Sequence, residues 1–141
     1  CALPICMRFL AVRPDGSGDV TGSHVAWKSA QGGGSRSSQL VLGDRLFLLG
    51  DAGTATVLDA LTGKAVWQKR LGGEFSASPI LADGRIYASN QNGATLVLSA
   101  DEPHQLVATN TLDAGCMASP AVFDSAIFLR TKTHLYKIGP R

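Results

Sequence analysis

Three segments of this chain share one pattern at a nearly constant interval, and that interval narrows the fold more than any other feature. Ser76-Ala77-Ser78-Pro79-Ile80-Leu81 returns as Met117-Ala118-Ser119-Pro120-Ala121-Val122, and Ser37-Ser38-Gln39-Leu40-Val41-Leu42 holds the same register upstream. With Ser38, Ser78 and Ser119 as equivalents the periods are 40 and 41 residues. Other markers keep step. Leu46-Phe47, Ile86-Tyr87 and Ile127-Phe128 lie eight and nine residues after their serine, and Gly53 and Gly93 lie fifteen after it. Trp27, Trp67 and Ala108 each stand eleven residues before the next serine.

Inside one period the pattern is four short strands. Gln39 to Leu42 is apolar, Gly43-Asp44 turns the chain into Arg45 to Leu49, and Asp51-Ala52-Gly53 turns it again into Thr54 to Asp59. Leu61-Thr62-Gly63 then leads into Ala65 to Arg70. Strands of this length joined by Gly and Asp turns are hairpin signals. Four strands in about 40 residues are the signature of propeller blades. A β-sandwich with accidental periodicity is the alternative. The expected fold is all-β: a β-propeller fragment with two complete four-stranded antiparallel blades flanked by two partial blades. The expected divisions are 7–36 (partial blade), 37–75 (blade), 76–116 (blade) and 117–141 (partial blade). A piece of this kind cannot close a ring alone.

Composition excludes several classes. The chain has 141 residues, 45% hydrophobic and 17% charged, which suits a folded domain rather than disorder. Thirteen basic against 11 acidic residues give a net charge of +2, without the basic footprint of a dedicated nucleic-acid binder. No stretch approaches the ~20 apolar residues of a membrane helix. Pro4 breaks the first apolar run, so the start does not read as a signal peptide. Cys1-Ala2-Leu3-Pro4-Ile5 instead resembles one reading frame of a sequencing-adapter oligonucleotide. On that expectation residues 1–6 are non-native, natural sequence begins near Cys6 or Met7, and the chain is cut at its N-terminus. In-frame genomic DNA encoding Cys1 to Ile5 would exclude it. Cys116 then stands alone and reads as a small buried hydrophobe.

Val57-Leu58-Asp59-Ala60-Leu61-Thr62-Gly63-Lys64-Ala65-Val66-Trp67 resembles the repeat motif of the pyrroloquinoline-quinone-type β-propeller family. In that family a strand ends in Asp-Ala, a Thr-Gly turn follows, and the next strand carries a Trp. His24-Val25-Ala26-Trp27 is similar to its second half. The third repeat departs from it, with Ser99-Ala100-Asp101-Glu102-Pro103 at the turn and Ala108 for Trp. Trp27, Asp59, Thr62, Gly63 and Trp67 are expected to act as structural, blade-docking residues. Gly63 suits a positive φ, Asp59 accepts from following amides, and the indoles fill space between blades.

Binding residues are expected on the loops between second and third strands and on those joining successive blades. That face carries Arg36, Asp51, Glu74, Asn90, Gln91, Asn92, Asp113, Arg130 and Lys132 as polar candidates. Arg130-Thr131-Lys132-Thr133-His134 is the densest basic cluster, and Gln31-Gly32-Gly33-Gly34-Ser35 reads as a flexible connection. The histidines His24, His104 and His134 stand at unrelated repeat positions, so no shared metal site is expected. No nucleophile–base pattern suggests a catalytic residue.

The resemblance implies a non-catalytic binding or scaffolding module, exported to the periplasm or cell surface, with a protein or peptide partner and the remaining blades of the same propeller. An outer-membrane assembly lipoprotein of this kind binds extended segments of its partner. Such a module needs no cofactor. The alternative is part of a dehydrogenase that uses pyrroloquinoline quinone and calcium with an Asp as base. The adjacent-Cys pair found beside that quinone is not present in the sequence.

Overall fold

The computed structural model describes residues 9–31 and 33–140. The adapter-like residues, Cys6, Met7 and Arg8 lie outside the described residues. Within the described residues the chain forms thirteen strands and no helix. β1 (Phe9–Val12) and β2 (Val25–Ser29) make a two-stranded sheet. β3 (Leu40–Leu42), β4 (Arg45–Leu49), β5 (Thr54–Asp59) and β6 (Ala65–Arg70) form a four-stranded sheet in chain order. β7 (Ile80–Ala82), β8 (Arg85–Ser89), β9 (Ala94–Ser99) and β10 (Leu106–Thr111) repeat that arrangement. β11 (Ala121–Phe123), β12 (Ala126–Arg130) and β13 (Leu135–Ile138) make a final three-stranded sheet. All pairings are antiparallel. The chain is therefore all-β, with two complete four-stranded blades between two shorter sheets.

Turn chemistry explains the meander. The first hairpin of each blade closes over two residues at one repeat position. Leu42 pairs with Arg45 across Gly43-Asp44, Ala82 with Arg85 across Asp83-Gly84, and Phe123 with Ala126 across Asp124-Ser125. In the last two both central residues take positive φ, as a type I′ turn requires. Gly84 adopts it without a steric penalty, whereas Ser125 at φ 59° pays one. Ser125→Gly is expected to stabilise the chain by about 0.5–1 kcal/mol in urea unfolding, net of the glycine's added backbone entropy.

The Asp-x-x-Thr-Gly turn is held from one carboxylate. Asp59 Oδ1 accepts from Leu61 N (3.2 Å), Thr62 N (2.8 Å) and Thr62 Oγ1 (2.8 Å), while Gly63 N donates to Asp59 O (2.8 Å). In the third sheet the corresponding bond runs from Ser99 N to Gln105 O, where the second sheet uses Asp59 N to Lys64 O. One extra residue lies inside that turn, which accounts for the period of 41 against 40. The register serines also have a structural partner. Ser38 N donates to Ser78 Oγ (2.9 Å), and Ser78 N donates to Ser119 Oγ (2.9 Å), so the recurring hydroxyl ties each sheet to the next.

The core lies between sheets. Strand alternation puts Phe47, Leu49, Ala55 and Val57 on one face of the second sheet, where Phe47 pairs across to Val57 and Leu49 to Ala55. They pack against Ile86, Ala88, Leu96 and Leu98 of the third sheet, with Phe75 of the connecting segment between them. The next junction is filled less well. A cavity of about 110 Å³ lies between the third and fourth sheets, lined by Tyr87, Ser89, Thr95, Ile127 and Leu129 among others. Ser89 stands there at the repeat position of Leu49, so a smaller side chain leaves the gap.

Candidate binding face

Backbone bonds lace the turns of the sheets to the segments that connect them. Phe75 N donates to Asp51 O (2.9 Å), Gln91 N to Glu74 O (2.8 Å) and Lys132 N to Gly115 O (3.0 Å). These bonds place the candidate residues in two clefts. Arg36, Asp51 and Glu74, with Ala52, line one of about 220 Å³ at the junction of the second and third sheets. Arg130 and Lys132, with Gly115, Met117 and Thr131, line one of about 250 Å³ at the next junction.

Within the first cleft Asp51 is anchored by Ser35. Its carboxylate accepts from Ser35 Oγ (2.7 Å) and Ser35 N (3.0 Å). Those bonds, the side-chain one foremost and with smaller help from the Arg36 charge, hold Asp51 below the ordinary 3.8. Asp59 is likewise lowered, first by the Thr62 hydroxyl and then by the Thr62 amide. A carboxyl lowered by folding stabilises the fold above its unfolded pKa, and that contribution disappears as pH falls through the folded value. The urea midpoint is therefore expected to be flat above about pH 5 and to decline below about pH 4. The Asp51→Asn/Asp59→Asn double variant should decline less steeply.

Other candidates are placed differently. Asn90 is buried, and its Oδ1 accepts from Asn92 N (3.0 Å) and Ala94 N (2.9 Å), so that oxygen closes its own turn. Asn92 is exposed and Gln91 half-buried. Asp113 accepts from Tyr136 Oη (2.8 Å), which pins the third connecting segment to β13, and His134 Nδ1 lies 3.9 Å from its other oxygen. That bond to Asp113 is the first cause raising the Tyr136 pKa.

Gly33 and Gly34 of the glycine-rich stretch are packed rather than loose. A Cβ on Gly33 would lie 2.2 Å from the Phe9 ring, and one on Gly34 would lie 2.1 Å from Asp51 Oδ1. Ser35, Met117 and Thr131 stand on the expected loops of this face but outside the polar candidates named from sequence. Thr131 is buried, and its Oγ1 accepts from His134 N (3.1 Å) and Thr133 N (3.4 Å). The repeat register was the available signal, since Met117 and Arg36 stand at the same position.

The tryptophans lie across sheet boundaries. Trp27 of the first sheet donates from Nε1 to Ala60 O (2.9 Å) in the second, and its ring covers Gly63. Trp67 of the second sheet meets His104 of the third edge-on, with ring centroids 5.2 Å apart. Cys116 is buried, its thiol directed at Ala118 O (3.1 Å) and Arg130 O (3.3 Å), and burial pushes its pKa up. His24 bonds Ser23 and His104 lies near Ser99 O, so the three histidines do not meet. Among the described residues no group of three or more His, Cys, Asp or Glu is placed to hold a metal ion.

Four-stranded meanders at a 40-residue repeat, stacked face to face through their apolar sides, define a β-propeller built from pyrroloquinoline-quinone-like repeats. Known proteins narrow that class. The family model described as outer membrane protein assembly factor BamB matches residues 15–138, and the chain belongs to that family. The outer membrane protein assembly factor BamB of Burkholderia pseudomallei is 29% identical over 108 residues, covering 74% of this chain and 28% of that protein. The chain thus spans little more than a quarter of the relative's length. The crystal structure of BamB from Moraxella catarrhalis superposes with a TM-score of 0.67 at 21% identity, over 82% of this chain and 36% of that one. A europium-containing methanol dehydrogenase shares the fold with a TM-score of 0.55 at 14% identity, over 77% of this chain and 21% of that one.

Proposed function

We propose that the chain is part of a non-catalytic binding or scaffolding module that acts in outer-membrane protein assembly, in the periplasm or at the cell surface. Its partner is a protein or peptide segment held on the loop face, and the remaining blades of the propeller complete the ring. One observation carries this reading. Charged side chains line two clefts on the loop face, and backbone bonds between turn and connector hold both. Such a preorganised surface lowers the ordering cost of binding an extended segment. Family membership supports the assembly role.

The dehydrogenase alternative asks for carboxylate and carbonyl oxygens converging on calcium beside the quinone. Among the described residues no such group of three or more lies together, and no observation favours this second reading. The test sets the two readings against each other. Titrated with pyrroloquinoline quinone and calcium, the protein is expected to leave the quinone absorbance unchanged and to reduce no dye acceptor. On a biosensor it should retain an unfolded outer-membrane barrel polypeptide. Dye reduction, or failure to retain the polypeptide, would overturn the proposal.

A further inference from the structure

We infer that the loop face reads an extended peptide by its charge polarity, taking a basic end at the junction of the second and third sheets and an acidic end at the next. This rests on the binding reading above and specifies the partner it takes. Thirteen residues after each register serine the chain carries Asp51, Gln91 and Lys132, so a single repeat position runs from negative through neutral to positive across the face. Gln91 and Lys132 are held by equivalent bonds, Gln91 N to Glu74 O and Lys132 N to Gly115 O, and Asp51 is tied to the same connector through Phe75 N. The gradient is therefore built into the scaffold and does not depend on mobile side chains alone.

Neighbouring positions deepen it. Glu74 joins Asp51 in the first cleft, while its equivalent in the second is the uncharged Gly115. Arg130 joins Lys132 in the second, where the corresponding residue of the second sheet is the apolar Leu49. Arg36 is the one cation lining the first cleft, and its equivalent in the second is Met117, 58% exposed. The second cleft thus offers two cations and an apolar contact. Neither Arg130 nor Lys132 enters an ion pair among the described residues. Asp51 keeps its charge at neutral pH, because its Ser35 bonds favour the carboxylate. A compact ligand meets a net negative surface in the first cleft or a positive one in the second. An extended strand crossing Gln91 meets both, and complementary ends are attracted while a reversed strand is repelled.

The probe is a fluorescent Thr/Val-rich peptide with two lysines at one end and two glutamates at the other, compared with an isomer whose charges alternate. Anisotropy titrations should give the bipolar peptide about tenfold tighter binding, and the difference should shrink as salt rises. Asp51→Lys and Lys132→Asp should each lose most of that preference. The double variant should regain part of it, because a weaker, reversed polarity lets the peptide bind the other way round, and that rescue separates charge reading from damage to the fold. Equal binding of the two isomers, or a double variant no better than the singles, would overturn the polarity inference and leave the loop-face reading standing. If neither peptide binds, the polarity inference fails and the retention of a barrel polypeptide decides the broader reading independently.

Discussion

Phe47→Ala is expected to lower the free energy of unfolding by about 3–5 kcal/mol, the range for removing a buried phenylalanine from a close-packed core. Phe47 has no exposure and sits on β4 at the centre of the junction between the two complete sheets. Its cross-strand neighbour Val57 and the facing Ile86, Ala88 and Leu98 come from three further strands, so the hole cannot close by shifting one element. The loss falls on docking between sheets as much as on stability within one. Urea unfolding followed by far-UV circular dichroism measures it. Tyr87→Ala serves as the contrast, because Tyr87 already borders the 110 Å³ gap at the next junction and its removal should cost distinctly less.

Gly63→Ala is expected to cost about 1.5–3.5 kcal/mol, from two separable causes. Gly63 has φ +69°, a conformation that costs an L-residue about 1–2 kcal/mol. The added Cβ would also lie 2.4 Å from Trp27 Cε3, closer than any real contact, so the indole must move. Moving it breaks the Trp27 Nε1 to Ala60 O bond, worth about 0.5–1.5 kcal/mol. Gly84→Ala isolates the first cause, since its φ is +66° and nothing lies within 4 Å of a Cβ there. The two variants should share the backbone cost, and Gly63→Ala alone should red-shift Trp27 fluorescence in a Trp67→Phe background. Equal destabilisation with unchanged fluorescence would mean that the indole does not rest on the turn.

These two positions also show why so much of the fold was legible beforehand. Gly63 and Trp27 belong to a motif whose chemistry recurs, and Ser38, Ser78 and Ser119 recur because each hydroxyl or amide takes part in the same bond between sheets. A repeated interaction leaves a repeated residue. Contacts made once leave no such trace. Ser35 anchors Asp51 from sixteen residues away, and nothing in its glycine-rich surroundings announces that bond. Asn90 looks like a surface ligand in sequence, yet its oxygen is consumed within its own turn. His104 shares no repeat position with the other histidines and is buried against Trp67, in the turn that carries the extra residue. Strand number and order follow from periodicity. The partners of individual polar groups follow only from the turn geometry that periodicity leaves open.

Amide NMR of the labelled chain, titrated with the bipolar peptide, locates the binding surface directly. Shifts are expected at Arg36, Asp51, Glu74, Gln91, Met117 and Lys132, with β6 and β10 undisturbed. Shifts confined to those outer strands, or to the innermost β3 and β7, would place the partner elsewhere and contradict the claim that this family member binds through its loop face.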